Sequence, residues 1–373
     1  MEYDPLNLLS WSVVLVQRFY KEEKQMSHIQ WERYPTAADS PEARTWLQIQ
    51  CDLGLAQNTV EAYGRALEDF FAFGVRDGFA PEEASREHIA RYVHDLSSRP
   101  NPRSEKIRVL DAGRGLANAT LQQRLTAIRL FYDYLREEGR RSSNPIGRGH
   151  YTPGKQFGGM RHKGLIPRYT KLPWIPNETA WIAILQAARQ ELVRNRIMLA
   201  LGYDAGLRRE ELCRLEIRDL DPSQRLVRIR FETTKSRRER VVPYSEPTGM
   251  LYMAYLQERR KLSRARGPVF VSESRRNRGE PISIWTWSKV VEGIARRSGV
   301  QQFTTHTLRH LRLTDLACCG WDIHEIALFA GHRSTDTTLQ YIHLSGRDLK
   351  AKVERGMANI HAWRVEMMRE ELQ

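Results

Sequence analysis

The sequence predicts a mainly α-helical chain of two domains, the second carrying one small antiparallel β-sheet. Three observations predict it. Apolar residues recur at helical spacing in both halves, one pair of short segments reads as an alternating strand and its return, and a Gly- and Arg-rich stretch between the halves keeps no hydrophobic period. A chain of 373 residues, 41% of them hydrophobic, is long enough to bury two cores of ordinary size.

Residues 1–35 offer only Leu8, Leu9, Val13 and Val16 along one side of a short helix, and are read as an arm of unknown role. Ser40 before Pro41 is a helix-start signal, since a serine oxygen accepts an unpaired first-turn amide and proline suits the first helical position. Trp46, Leu47 and Ile49 follow, and Gly54 ends the segment. A second helix is expected from Asn58 or Thr59 through Val60, Tyr63, Ala66, Leu67, Phe70 and Phe71. A third spans Ser85 to Leu96. The fourth follows Asn118 with Leu121, Leu125, Ile128, Phe131, Tyr132 and Leu135 on one face, closed by Gly139. Residues 36–140 therefore form a small helical domain. Arg124, Arg129 and Arg136 lie off its apolar stripe, either as a solvated face or as a surface for a polyanion.

Residues 141–172, with Arg161 and Lys163 among repeated glycines, read as a basic linker. The second domain, 173–345, opens with helices from about Asn177 to Gln190 and from Leu192 to Leu201, the latter ended by Gly202. A third, after Gly206, holds Leu212 and Leu215. Leu226–Glu232 alternates with period two and Arg240–Tyr244 is its return strand, with Lys235, Arg237 and Arg238 in the polar turn between them. Helices resume near Leu251–Lys261, Ile284–Arg297, His306–Cys319 and Ile323–Phe329. Residues 346–373 repeat Leu349, Val353, Met357 and Ile360 at helical spacing and predict an amphipathic C-terminal helix.

Charge narrows the function. Lys and Arg total 59 against 45 Asp and Glu, a net +14 that favours a polyanionic partner, because each phosphate neutralised releases a condensed counterion. Four cysteines without a Cys-x-x-Cys pair argue against a disulfide framework and against structural zinc. The acidic start at Met1–Pro5 is unlike a secretory signal, and the stretch from Leu6 to Val16 is too short and too interrupted to span a bilayer. A cytoplasmic protein without a membrane partner is expected, gathered at the nucleoid when DNA-bound.

The C-terminal half holds candidate chemistry for phosphoryl transfer. Such a reaction loads negative charge onto non-bridging oxygens, which a guanidinium fork matches, and it needs a nucleophile and a proton donor. His306-Thr-Leu-Arg309-His310 puts His306 and Arg309 on one helical face. The His306/His310 pair lacks the intervening Glu of a zinc-protease motif. Gly331 before His332 ends a helix, the stretch Asp336-Thr-Thr338 offers caps for the next, and Tyr341 falls on that next helix. Upstream, Gly206-Leu-Arg208-Arg-Glu-Glu211-Leu212 sets Arg208 at a helix start, with Glu211 either orienting it or capping the helix.

These segments together resemble the tyrosine recombinase (phage integrase) family over about residues 40–345, most closely from 202 to 343. The resemblance implies catalytic residues Arg208, Lys235, His306, Arg309, His332 and Tyr341, with Glu211 in support. It also implies a helical, SAM-like core-binding domain ahead of an α-rich catalytic domain with a small sheet. Tyr341 is then the nucleophile of a 3′-phosphotyrosyl intermediate, Arg208 and Arg309 clamp the phosphate, and His332 helps hold it. His306 accepts or relays the tyrosine proton, and Lys235 protonates the leaving oxygen, with neither metal nor cofactor. The partners implied are duplex DNA bearing recombination sites, further copies in a tetramer, and a second recombinase or accessory protein; the C-terminal helix either packs on a neighbouring copy or folds back on its own domain. Arg124, Arg129, Arg161, Lys163, Arg237 and Arg238 are the candidate DNA contacts. Departures from the family pattern are Ala330 before Gly-His and the Leu311-Arg312-Leu313 run, while residues 1–35 match nothing in it. Two other readings stay open at this point: a type IB topoisomerase, and a DNA-binding regulator that has lost catalysis.

Overall fold

A computed structural model of the chain describes residues 29–99, 116–146, 165–166, 172–234 and 237–344. The chain divides into two compact units, Met1–Thr170 and Lys171–Gln373.

The first unit is helical: α1 (Pro35–Ala38), α2 (Pro41–Asp52), α3 (Gln57–Asp77), α4 (Arg86–Ser98) and α5 (Asn118–Glu137). Local chemistry sets the ends. Ser40 Oγ accepts the Ala43 amide at 3.2 Å, and Ser85 exchanges hydrogen bonds with His88 in a capping box. Helix α3 starts one residue earlier than the Asn58 expectation and has no side-chain cap, because Ala56 stands at that position. An aromatic core of Trp46, Phe70, Phe71, Tyr92, Phe131 and Tyr132 joins α2 to α5. Phe70 meets Tyr92 and Tyr132 edge-on, the arrangement ring quadrupoles favour.

This core extends beyond the limits suggested by composition. Ile29 and Tyr34, drawn with the arm, are buried in it, and a Cβ at Gly64 would lie 2.8 Å from the Tyr34 ring. Arg141, drawn as linker, donates to the carbonyls of Glu82 and Ala84, and Ile146 is buried. Short apolar insertions in polar sequence carry no period, which is why they read as tethers.

The second unit contains α6 (Glu178–Ala188), α7 (Val193–Asp204), α8 (Arg209–Cys213), α9 (Glu246–Leu262), α10 (Ile284–Ser298), α11 (Thr305–Cys318), α12 (Ile323–Ala330) and α13 (Asp336–Leu344). Its antiparallel sheet runs β1 (Leu220–Asp221), β2 (Leu226–Ile229), β3 (Arg240–Pro243), with Val227 opposite Val242. Val227, Ile229 and Val242 face the core while Val241 is exposed, as period-two alternation requires.

Several elements differ from expectation. Strand β1 is too short to show a period, and Phe231–Thr233 forms a 3₁₀ turn where β2 was expected to continue. Leu215 lies past the end of α8. Gly202 sits inside α7 rather than ending it, because α11 passes close by: a Cβ there would meet Leu308 Cδ1 at 3.0 Å. Gly206, at φ +56°, makes the turn instead. Among the described residues no helix is long and apolar enough to cross a membrane.

Candidate active site

The turn at Gly206 delivers Arg208 to the N-terminus of α8, three residues ahead of Glu211. Glu211 is 1% exposed. Its Oε2 accepts the Arg208 backbone amide at 2.9 Å, and its Oε1 accepts Arg208 Nη1 at 2.7 Å. Glu211 therefore caps the helix and orients Arg208, so both uses left open by the sequence are realised. A second cation joins it. Arg240, from β3, donates to Oε1 at 3.2 Å and to Oε2 at 2.7 Å. Burial pushes the Glu211 carboxyl up, but hydrogen bonds and charge from Arg240, with the charge of Arg208, outweigh it and hold the pKa at about 2.

Arg309, 4% exposed, projects from α11 into the same centre. Its Nη1 donates to Gly206 O at 2.6 Å; its Nη2 donates to Ala330 O at 2.6 Å and to His332 Nε2 at 3.0 Å. Because a guanidinium only donates, Nε2 is the acceptor and the His332 proton sits on Nδ1, which donates to Thr338 Oγ1 at 2.8 Å. Burial, then the charges of Arg309, Arg208 and Arg240, lower the His332 pKa to about 3, so its ring is neutral. Burial and repulsion from Arg208 lower Arg309 to about 9. Gly331, in the left-handed region at φ +62°, ends α12, and its carbonyl accepts Arg208 Nη2 at 3.4 Å. The cap of α13 differs from expectation: Ser334 Oγ takes the Asp336 amide at 3.1 Å, while Thr338 is spent on His332.

Tyr341, on α13, is 2% exposed. Its ring lies parallel to that of His332, with centroids 6.1 Å apart, and its hydroxyl is 3.0 Å from His310 Nδ1. Burial raises its pKa, against the pull of Arg309. His306, expected to accept or relay the tyrosine proton, does not itself touch this hydroxyl. His310, one turn along the same helix, makes the contact, and the exposed His306 ring stands 6.3 Å from His310, centroid to centroid. Desolvation lowers the His306 pKa, with Glu210 opposing.

Four of the expected catalytic residues, Arg208, Arg309, His332 and Tyr341, thus converge, with His306 beside them. Lys235 lies outside the described residues, as do Arg161 and Lys163. On the hairpin that leads into β3, Arg237 is exposed at φ +50°, and Arg238 Nη1 reaches His332 O at 3.5 Å. In the first unit Arg124 is bonded to Asp69, which also accepts from Tyr92 and Arg99, so this arginine serves the fold. Arg129 is half-buried, and its Nε has no hydrogen-bond partner among the described residues. The Leu311-Arg312-Leu313 run is a packing feature, with Arg312 over the Tyr203 and Phe329 rings and both leucines buried. Trp287 is core, but Trp285 is 70% exposed.

Three residues at the centre escaped the sequence reading of the site: Arg240, Thr338 and His310. Arg240 carried a signal, since it stands at an inward position of the expected return strand, where an unpaired charge is costly.

Residues 178–347 match the phage integrase family, and residues 46–139 match the phage integrase N-terminal SAM-like domain. The chain belongs to the phage integrase, or tyrosine recombinase, family. It is 28% identical over 319 residues to the tyrosine recombinase XerC of Thermodesulfovibrio yellowstonii, covering 82% of this chain and 91% of that one. It is 26% identical over 314 residues to transposase A from transposon Tn554 of Staphylococcus aureus, covering 80% and 85%. The fold is shared with XerH site-specific recombinase bound to palindromic difH DNA (TM-score 0.60, 18% identity, 82% and 81% covered). It is shared also with the Tn1549 transposon integrase bound to circular-intermediate DNA (TM-score 0.60, 17% identity, 86% and 98% covered). This tyrosine recombinase acts on DNA as a site-specific recombinase, breaking and rejoining strands.

Proposed function

We propose that Tyr341 attacks the scissile phosphate, forming a 3′-phosphotyrosyl link and freeing a 5′-hydroxyl, while Arg208 and Arg309 hold the non-bridging oxygens. The observation that carries this reading is the charge at the site. Three guanidinium groups, from Arg208, Arg240 and Arg309, gather around one carboxylate, Glu211, beside an enclosed tyrosine. The surplus positive charge is what a phosphorane-like transition state requires. Of Arg309's five N–H groups three are bound to Gly206, Ala330 and His332, which leaves Nε–H and one Nη1–H outside these bonds for phosphate.

His332 acts on the phosphate through Arg309, whose guanidinium it fixes, rather than by its own N–H, which is committed to Thr338. His306 lines the exposed side, where the phosphate enters. Lys235 protonates the departing 5′-oxygen. Each phosphoester broken is replaced by one formed, so strand exchange consumes no nucleotide, and the arginines supply the charge a metal otherwise brings.

The biological frame is movement of a genetic element by integration, excision or transposition at specific sites, a reading supported by the likeness to the Tn554 transposase over most of both chains. Residues 36–140 grip DNA, with Arg129 among the contacts, and 141–172 connect them to the catalytic unit, 173–345. Four copies assemble on two duplexes through residues 346–373, with an accessory protein or second recombinase where the element demands one.

The test is covalent trapping. Purified protein meets nicked duplexes covering the DNA that flanks its gene, in EDTA, and is run on a denaturing gel. The proposal expects an adduct that vanishes with Tyr341→Phe. Tight binding without any adduct would overturn it in favour of a regulator.

A further inference from the structure

We propose that His310 is the group that takes the phenolic proton from Tyr341 during attack and returns it during rejoining. This rests on the reading of Tyr341 as nucleophile and adds to it a base the six expected residues do not include.

The geometry is direct. The Tyr341 hydroxyl lies 3.0 Å from His310 Nδ1, inside the range for general-base contact, with the two rings tilted by 36°. His310 follows Arg309 on α11, so the proton acceptor and the phosphate clamp share one rigid helix. The charged and titratable groups facing His310 are His306 and Arg309 on its own helix, His332 at the end of α12, and Tyr341 on α13. Burial, then the charges of His306 and Arg309, lower its pKa to about 4, so the ring is neutral at physiological pH and has a lone pair for the phenol.

The step balances. As the tyrosine oxygen bonds phosphorus, its O–H breaks and the proton moves to Nδ1. The bond from phosphorus to the 5′-oxygen breaks with its electron pair on oxygen, which is protonated by Lys235 in the proposed scheme. In rejoining, the imidazolium returns its proton to the departing tyrosine oxygen. A resting base this weak suffices for two reasons. The arriving phosphodiester brings a negative charge that stabilises imidazolium, and the phenol grows more acidic as its oxygen becomes bonded to phosphorus. His306, on the exposed side, is the next ring toward solvent.

The experiment is single-turnover cleavage of a nicked duplex by the full chain. It compares wild type with His310→Asn and His310→Gln, each with tyrosine or difluorotyrosine incorporated at position 341 alone. The comparison is read on whichever variant keeps the wild-type thermal midpoint and DNA affinity. Removing a general base slows cleavage on the order of 100-fold. The more acidic difluorotyrosine, needing less help, should recover most of that loss in the variant and change the wild type little. Wild-type cleavage in a folded variant would overturn the proposal. So would a loss that the acidic tyrosine leaves unrelieved, since that marks a positioning contact only. An adduct that persists in Tyr341→Phe would bring down the nucleophile assignment instead, and the two failures are read from different lanes.

Discussion

Arg240 Nη2 donates to Glu211 Oε2 at 2.7 Å, and both side chains are buried. The pair is compensated only as a set, since Glu211 also holds Arg208. Glu211→Gln leaves buried guanidinium charge without its carboxylate, at a cost of about 3–5 kcal/mol. For a unit of this size that is a fall of roughly 10 °C in Tm. Arg240→Met should cost less, because Arg208 still neutralises the carboxylate. Differential scanning calorimetry of the two variants checks the order.

Acid stability should reveal the neutral histidines. His332 and His310 have folded pKa values of about 3 and about 4, against the ordinary 6.5 of an unfolded chain. Below pH 6.5 the unfolded chain binds protons that the folded one refuses, so stability falls as pH drops from 6.5 toward 4. At pH 5 His332 alone should account for about 2 kcal/mol of that loss. Glu211 acts in a lower window: its contribution is present above 4.5 and is lost only as pH falls toward 2. Urea titrations at pH 7 and pH 5 should show a smaller difference for His332→Asn than for wild type. An equal difference would contradict the neutral assignment.

Gly331 serves two constraints at once. Its φ of +62° disfavours any side chain, and a Cβ there would lie 2.9 Å from Arg240 Nη1, an atom pinned on Glu211. Gly331→Ala should lose about 1–2 kcal/mol to backbone strain, measurable by chemical denaturation. It should also slow strand cleavage by displacing Arg240.

In the first unit, two arginines one helical turn and a residue apart should behave differently. Arg124, tied to Asp69, should on substitution by Gln lower the melting temperature without changing the salt dependence of DNA binding. Arg129→Gln should leave stability nearly unchanged and reduce the slope of log K against log salt by about 1. Fluorescence anisotropy across a salt series separates the two.

The fold was largely legible because helical periods are long and their ends carry chemistry: Ser40 caps where a capping residue was expected, and Ser85 and Asn177, read only as helix starts, cap as well. The two-residue β1 was not, since alternation needs length to show. At the site, the resemblance to the tyrosine recombinase family pointed to Arg208, Arg309, His332 and Tyr341, whose convergence follows from turns at Gly206 and Gly331. It did not reveal which of two histidines on one helix reaches the tyrosine. His306 and His310 are one turn apart, and only the approach of α13 chooses between them. Thr338 was hidden for a similar reason, because a threonine near a helix start reads as a cap until a buried imidazole needs an acceptor.

The most direct measurement of the central claim is mass spectrometry of the trapped complex. After cleavage of a nicked duplex, nuclease and protease digestion should leave a peptide containing Tyr341 heavier by a 3′-linked nucleotide, with fragmentation placing the mass on that tyrosine. The same mass on another residue, or an unmodified Tyr341 peptide from a fully cleaved sample, would contradict the account.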